Sequence, residues 1–298
     1  MKIVVHLADQ GWPVPAAELP VLLTDVAALV EEGGFDGLAV SDHVWSHPFM
    51  GGPETACLEA YSMLSFLAAH TSSVRLLTVV TGAHFRPPGL LAKTVSTLDV
   101  LSGGRAWLGI GSGHYQDECE GLGIPFPPTG ERFDLLEDAL EVCLRMWTGD
   151  QGTDAPYDGH HVHAGRLLNL PQTLQRPHPP VLIAGDGEKR TLALVARYGD
   201  ACNLRPTPDI PHKLDVLRRH CDAAGTDFDR IERTSAWAFT PGSDGDGIDA
   251  DDTVEKLRWL AGMGIETVIA RVDGLERRRP LEQLARHVVP AAAALKSA

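Results

Sequence analysis

Val74-Arg75-Leu76-Leu77-Thr78-Val79-Val80-Thr81 is followed, after a short polar link, by Gly89–Leu101 and then by Arg105-Ala106-Trp107-Leu108-Gly109-Ile110. The outer two segments are short and nearly all apolar. That composition predicts strands covered on both faces, which is the habit of a parallel sheet. The middle segment carries its apolar residues at helical spacing and predicts the crossover helix. The unit is therefore strand, helix, strand.

The same unit repeats in both directions. Toward the N-terminus, Ile3–Ala8 reads as a strand. Glu18–Glu32 reads as a helix with Leu19, Leu22, Val26, Leu29 and Val30 on one face, ended by Gly33-Gly34. Gly37–Val40 is a second strand and Cys57–His70 a second helix. Toward the C-terminus, Glu131–Trp147 is a long amphipathic helix. Strands follow at Val181–Ala184, Ala201–Leu204, Thr234–Phe239 and Thr267–Arg271, with helices at Glu188–Tyr198, His212–Ala224 and Val254–Met263 between them and one more at the end. Eight strand–helix units in about 300 residues predict a single α/β domain spanning 1–298, a closed (β/α)8 TIM barrel. Gly149–Pro180, rich in Gly, Asp, Pro and His, interrupts the alternation and reads as an insertion with a hairpin near Tyr157–Leu168.

Charge narrows the partners. Lys plus Arg number 26 against 40 Asp plus Glu, a net charge of −14. Nucleic acid and anionic membranes need concentrated positive charge, so neither is expected as a partner. A small anionic ligand is still allowed, because backbone amides and a few local cations can hold a phosphate. No run approaches the ~20 apolar residues of a membrane span, and Met1–Leu7 lacks the features of a signal peptide. Cys57, Cys119, Cys143, Cys202 and Cys221 form no Cys-x-x-Cys pair and fit a reducing cytoplasm. The expected location is cytoplasmic.

In a barrel of this kind the reactive groups stand where strands end. Those positions hold His6 and Asp9, Asp42 and His43, Thr81, His84 and Arg86, Gly111-Ser112-Gly113-His114, Gly185-Asp186-Gly187, and Asn203 and Arg205. A histidine titrates near neutrality and can give or take a proton, which makes His43 and His114 the candidate acid/base residues. Asp42 and His43 are adjacent in the chain and point to opposite sides of a strand, so they need not form a pair. Gly109-Ile110-Gly111-Ser112-Gly113 misses both the dinucleotide fingerprint and the nucleophile elbow, and its glycines read as room for a flat ring. Gly185 and Gly187 leave amides uncovered for a phosphate, with Lys189 and Arg190 near enough to help, although Asp186 and Glu188 oppose an anion. His160-His161-Val162-His163 lacks metal-ligand spacing, and no metal is expected. Asp244–Asp252 lacks the calcium-loop register and reads as a solvated loop.

Taken together, these segments resemble the bacterial-luciferase-like flavin and deazaflavin oxidoreductases. The resemblance rests on Val40-Ser41-Asp42-His43, on Val79-Val80-Thr81-Gly82, on the block from Leu91 to Leu101-Ser102-Gly103-Gly104-Arg105, and on Leu108–Gly113. It extends through Gly123–Pro127, Gly130–Phe133, Gln175–Pro180, Gly185–Arg190 and Lys213–Cys221. More narrowly, the chain is similar to the branch that uses coenzyme F420, a deazaflavin, with FMN as the alternative cofactor. The resemblance implies a homodimeric oxidoreductase that moves a hydride between F420 and a small organic substrate. An FMN-dependent monooxygenase and a non-catalytic flavin-binding protein are the rival readings. It also implies a non-proline cis peptide at the end of the third strand, at Val80-Thr81 or Thr81-Gly82. The cofactor would be bordered by Asp42, Val80, Thr81, Gly82, Gly111, Ser112 and Gly113, with Ala184, Gly185, Asp186 and Gly187 at its tail phosphate. His43 would lie near the reacting carbon, and His114 stands where similar enzymes carry an acidic proton donor. The insertion and the loop Trp45–Glu54 would cover the substrate side.

Overall fold

The computed structural model describes residues 1–7, 12, 14–239, 241–242 and 247–295. Eight parallel strands form its barrel: β1 (Lys2–Leu7), β2 (Gly37–Val40), β3 (Arg75–Thr78), β4 (Ala106–Gly111), β5 (Val181–Ala184), β6 (Ala201–Leu204), β7 (Glu232–Ala238) and β8 (Thr267–Arg271), with the two-residue strand Thr81–Gly82 added beside β4. Each pairs with its chain neighbours, β8 pairs with β1, and β4 pairs with β5, so the sheet closes into a barrel. Around it lie α1 (Leu19–Glu32), α2 (Ala60–Ala69), α3 (Pro88–Ser102), α4 (Gln116–Leu122), α5 (Thr129–Met146), α6 (Thr191–Tyr198), α7 (Ile210–Ala224) and α8 (Ala250–Gly262), with shorter turns of helix after β8. Among the described residues no helix is long and apolar enough to cross a membrane.

Side-chain alternation divides the core into two layers. On β1, Ile3, Val5 and Leu7 face the helices, while Val4 faces the barrel axis. There it meets Ala39, Leu77, Leu182, Ala201 and Ile269 from other strands. The near-continuous apolar strands follow from this double burial, since neither face of a strand meets water.

The Leu101–Arg105 block has a mechanical explanation. Gly103 and Gly104 adopt φ of 73° and 89°, which end α3 and turn the chain toward β4. Arg105 then donates from Nη1 to the Val74 carbonyl at 2.8 Å and from Nη2 to the Ala68 and Thr71 carbonyls at 3.0 and 2.9 Å. One guanidinium thus closes the C-terminal end of α2. Arg105→Ala should lower stability by about 3 kcal/mol, because it leaves several part-buried carbonyls without a charged donor. Urea unfolding of the variant measures this directly.

Two departures from the sequence reading bear on function. First, the third strand does not run to Thr81. It stops at Thr78, the non-proline cis bond is Val79-Val80 rather than either bond after Val80, and Thr81–Gly82 pairs again with β4. Second, the insertion does not cover the substrate side. Its ladders, Gly152–Thr153 with Leu167–Leu168 and Tyr157–Asp158 with His163–Ala164, pack against α5. There the buried Asp138 carboxylate accepts from the Tyr157 hydroxyl and from the amides of His160, His161 and Val162 at 2.7–3.0 Å. His160, His161 and Val162 lie in the turn of this hairpin, and His163 opens its second strand. The insertion then passes beneath the barrel, where Asp99 accepts from the Leu174 and Gln175 amides and Pro180 accepts from Leu108. Asp9 and the start of the acidic loop lie outside the described residues. At that loop's end Ile248 is buried and Asp249 caps α8, so this part is not a free solvated segment.

Candidate active site

A cavity of about 740 Å³ opens where the strands end. Its wall is formed by Ser41, Asp42 and His43 after β2, by Val79, Val80, Gly82 and Phe85 after β3, and by Gly111–Tyr115 after β4. Ala184–Gly187, Asn203–Pro206, Lys213 of α7 and Ala236 of β7 complete it, and His47, Phe49 and Met50 hang over it. The loop after β2 therefore does cover the cavity. Of the residues expected at a cofactor, Thr81 is the exception. It is fully buried, its hydroxyl is 2.8 Å from that of Tyr61 and 3.2 Å from that of Thr78, and it does not reach the cavity. Thr81 anchors the interruption of the third strand behind the wall.

The glycines of β4 answer to that interruption. A Cβ on Gly109 would overlap the Thr78 carbonyl, and one on Gly111 would come within 3.2 Å of the Val80 side chain. Gly113, at φ 77°, lies against the His84 imidazole, which a Cβ there would also overlap. The small residues thus admit a neighbouring strand and a histidine, and leave backbone rather than side chains facing the cavity. His84 is packed behind Gly113, with Nε2 3.2 Å from the Cys119 sulfur.

Asp42 and His43, adjacent in sequence, have separate partners. Asp42 is buried and forms a bidentate pair with Arg86, at 2.5 and 3.0 Å, and Arg86 also reaches Glu59 at 2.7 Å. His43 turns the other way, its Nδ1 2.8 Å from Oε2 of Glu118. Glu118 is fully buried in the first turn of α4, and its other oxygen accepts from the amides of Val44 and Trp45. Burial alone would raise the Glu118 carboxyl, but His43 and the two amides outweigh it and hold it below the usual carboxylate range. Gly121, one turn further along α4, seats the Trp45 indole, so the loop after β2 is fastened to α4 at two points.

Three imidazoles stand together at this end. The rings of His43 and His114 are 5.7 Å apart, those of His47 and His114 5.0 Å, and Tyr115 is 4.8 Å from His47. Burial, followed by the neighbouring His43, pushes both His47 and His114 below the ordinary histidine value. The sequence reading missed Glu118 and His47. Neither carries a local signal, since Glu118 sits in a short acidic segment without apolar periodicity and His47 in a loop.

The opposite end holds the cations. Asp186 accepts from the Arg205 amide at 2.9 Å and is ion-paired to its guanidinium. Glu188 pairs with Lys213 at 2.6 Å and with His212 at 3.1 Å. Arg190 faces away, to Asp134 and the Gly130 carbonyl. Lys189 and Arg190 are therefore not the cations of this wall; Lys213 and Arg205 are. The helix begins at Thr191 rather than Glu188, because residues 188–190 form a turn first.

Burial lowers two further histidines to about 4: His6, 3.0 Å from Ser41, with Arg271 as the second cause, and His84, with Arg132 as the second. Their folded values lie below the unfolded one near 6.5, so the unfolded chain binds more protons between about pH 6.5 and 4. Their contribution is complete above 6.5 and is lost as pH falls through this window. Urea midpoints should begin to fall below pH 6.5, before the carboxylates titrate. A midpoint constant from pH 6.5 to 5 would contradict this burial.

Comparison with known proteins agrees with this architecture. An uncharacterized protein of Mycobacterium tuberculosis is 32% identical over 239 residues, covering 76% of this chain and 79% of that protein. An F420-dependent glucose-6-phosphate dehydrogenase of Kineococcus radiotolerans is 32% identical over 222 residues, 72% of this chain and 62% of its own length. The monooxygenase RslO1 from Streptomyces bottropensis superposes with a TM-score of 0.81 at 22% identity, over 97% of this chain and 99% of that one. An F420-dependent secondary alcohol dehydrogenase in complex with an F420-acetone adduct gives a TM-score of 0.81 at 17% identity, over 98% of each chain. The family model described as luciferase-like monooxygenase matches residues 2–288, and the chain belongs to that family.

Proposed function

We propose that this protein is an F420-dependent oxidoreductase acting on a small organic substrate, with His43 as its acid/base. The observation that carries the acid/base assignment is the His43–Glu118 pair at the cavity wall. The 32% identity to a dehydrogenase named for F420 supports the cofactor. The wall fits a flat ring with an anionic tail. Val80, Gly111 and Ala184 converge so closely that a Cβ on Gly111 would touch both neighbours, leaving a trough walled largely by backbone. Lys213 and Arg205 stand at one end of that trough. The cavity volume is within the range of small-molecule sites.

The deazaflavin, when bound, accepts or supplies the hydride. The chain's own residues do the rest. Glu118 accepts from Nδ1 of His43, which leaves Nε2 to exchange a proton with a substrate oxygen. His114 is the second choice for that role. Gly111, Ser112 and Gly113 with Asp42, Val80 and Gly82 line the cavity where they would border the ring, and Ala184, Gly185, Asp186 and Gly187 line it where they would flank the tail. Asp42 is held by Arg86 and so presents a fixed carboxylate edge. His47, Phe49 and Met50 limit the access of water.

Parallel titrations with F420 and FMN, followed by cofactor absorbance and fluorescence, test the reading. The expected result is micromolar F420 affinity, weakened roughly tenfold in Lys213→Met by loss of one charge-assisted contact. Micromolar FMN binding without F420 binding would replace this reading by the FMN-dependent monooxygenase.

A further inference from the structure

We infer that the substrate of this site is an uncharged alcohol or carbonyl compound with an apolar or aromatic flank, and that phosphate esters are excluded. The inference deepens the function proposed above and rests on it. It comes from how charge is divided along the cavity wall. Among the described lining residues the lysine and arginine side chains are Lys213 and Arg205, and both stand at the Gly185–Gly187 end, paired with Glu188 and Asp186. The end that holds His43 is bordered instead by Phe49, Met50, Phe85 and Tyr115, with His47, His114, Ser41, Ser112 and the Arg86-bound Asp42 as the added polar groups.

Those two imidazoles make poor anion receptors. Each is pushed toward the neutral form by burial and by His43, and protonating either would place a cation beside the others. Behind them lies the buried Glu118 carboxylate, which repels an anion from the same side. The other cations near this end do not line the cavity. Arg132, which lies near His84 and His114, donates to the Pro127 carbonyl and the Thr129 hydroxyl and stacks on the Phe126 ring, while Arg86 is held by Asp42 and Glu59, Arg271 by Asp273, Arg277 by Glu276, and Arg278 by Asp25 and Glu282. The chain segments that follow β1 and β7, residues 8–13 and 240–246, contain Asp9, Asp244 and Asp246 and no lysine or arginine. A phosphate dianion entering here would lose its hydration without gaining a charged partner, a cost that specific phosphate sites offset with Arg or Lys. An uncharged molecule meets no such penalty. Its oxygen can accept from or donate to neutral imidazoles, and its carbon skeleton finds Phe49, Phe85 and Tyr115.

Matched pairs that differ by one phosphate test the inference: glyceraldehyde against glyceraldehyde 3-phosphate, and glucose against glucose 6-phosphate, together with acetophenone and 2-butanone. Binding is measured by calorimetry on cofactor-free and on F420-loaded wild-type protein, and turnover on the loaded protein. We expect an uncharged member of the set to bind saturably and to exceed the best phosphate ester in kcat/KM by at least tenfold. Inorganic phosphate at 10 mM should leave its KM within twofold. A phosphate ester that binds or turns over better than its uncharged counterpart overturns the inference, as does the absence of saturable binding by every uncharged compound. Failure of F420 to bind overturns the cofactor reading alone. The same panel is then run on FMN-loaded protein, where the charge preference is read in the same way.

Discussion

His43→Ala should lower kcat/KM by about 100-fold or more at neutral pH while leaving F420 affinity within threefold. The ring occupies the cavity wall 2.8 Å from a buried carboxylate, and a positioned acid/base contributes 10²–10⁴-fold in rate. Its removal leaves a gap of imidazole size at the wall, so added imidazole should restore part of the rate. A turnover rate equal to wild type would transfer the acid/base role to His114, whose ring is 5.7 Å away.

Glu118→Gln is the second large effect expected. The carboxylate makes three contacts at once, to Nδ1 of His43 and to the amides of Val44 and Trp45. A glutamine can still accept from backbone, but its amide nitrogen is a donor and can face Nδ1 only in the opposite tautomer. Nε2 then carries the proton that Nδ1 held. Loss of the correct tautomer in a comparable His–carboxylate pair costs about 10⁴-fold, and we expect about 100-fold or more here. The loss should fall on kcat, with F420 affinity unchanged, and Glu118→Asp should recover part of it. Glu118→Ala should in addition destabilise the fold by about 1–3 kcal/mol for each amide left without an acceptor. Because the folded Glu118 carboxyl lies below its unfolded value, its stabilising contribution is present above about pH 4.5 and is lost as pH falls through the lower, folded value. Glu118→Gln removes that acid-side loss. Equal kcat in wild type and Glu118→Gln would show that the carboxylate serves only the loop.

Much of the barrel was legible because its signals are local. The predicted strands Val181–Ala184, Ala201–Leu204, Gly37–Val40 and Thr267–Arg271 match the observed bounds, since short apolar runs between turn residues allow little else in a doubly covered sheet. The rim positions were legible for the same reason. Once strand ends are known, His43, Gly111–Gly113 and Gly185–Gly187 must stand on one face of the barrel. The helix Gln116–Leu122 was not legible, because seven residues with Asp117, Glu118 and Glu120 and little apolar periodicity give no amphipathic signal.

Partnership was the other thing hidden. Asp42 and His43 are neighbours in the chain, and only the folded packing shows that one serves Arg86 and the other Glu118, 75 residues further on. The glycines of β4 carry the same lesson: their pattern was visible, but its cause, the approach of Thr78, Val80 and His84, exists only once β3 breaks beside β4. Periodicity and composition report what each segment buries, and that was enough for eight strands, their order and the charge of the molecule. Which polar atom meets which, and that the insertion lies under the barrel and along α5 instead of over the cavity, depends on contacts between segments far apart in sequence. A hydrogen bond of 2.8 Å has no counterpart in local spacing, so those facts arise with the tertiary packing.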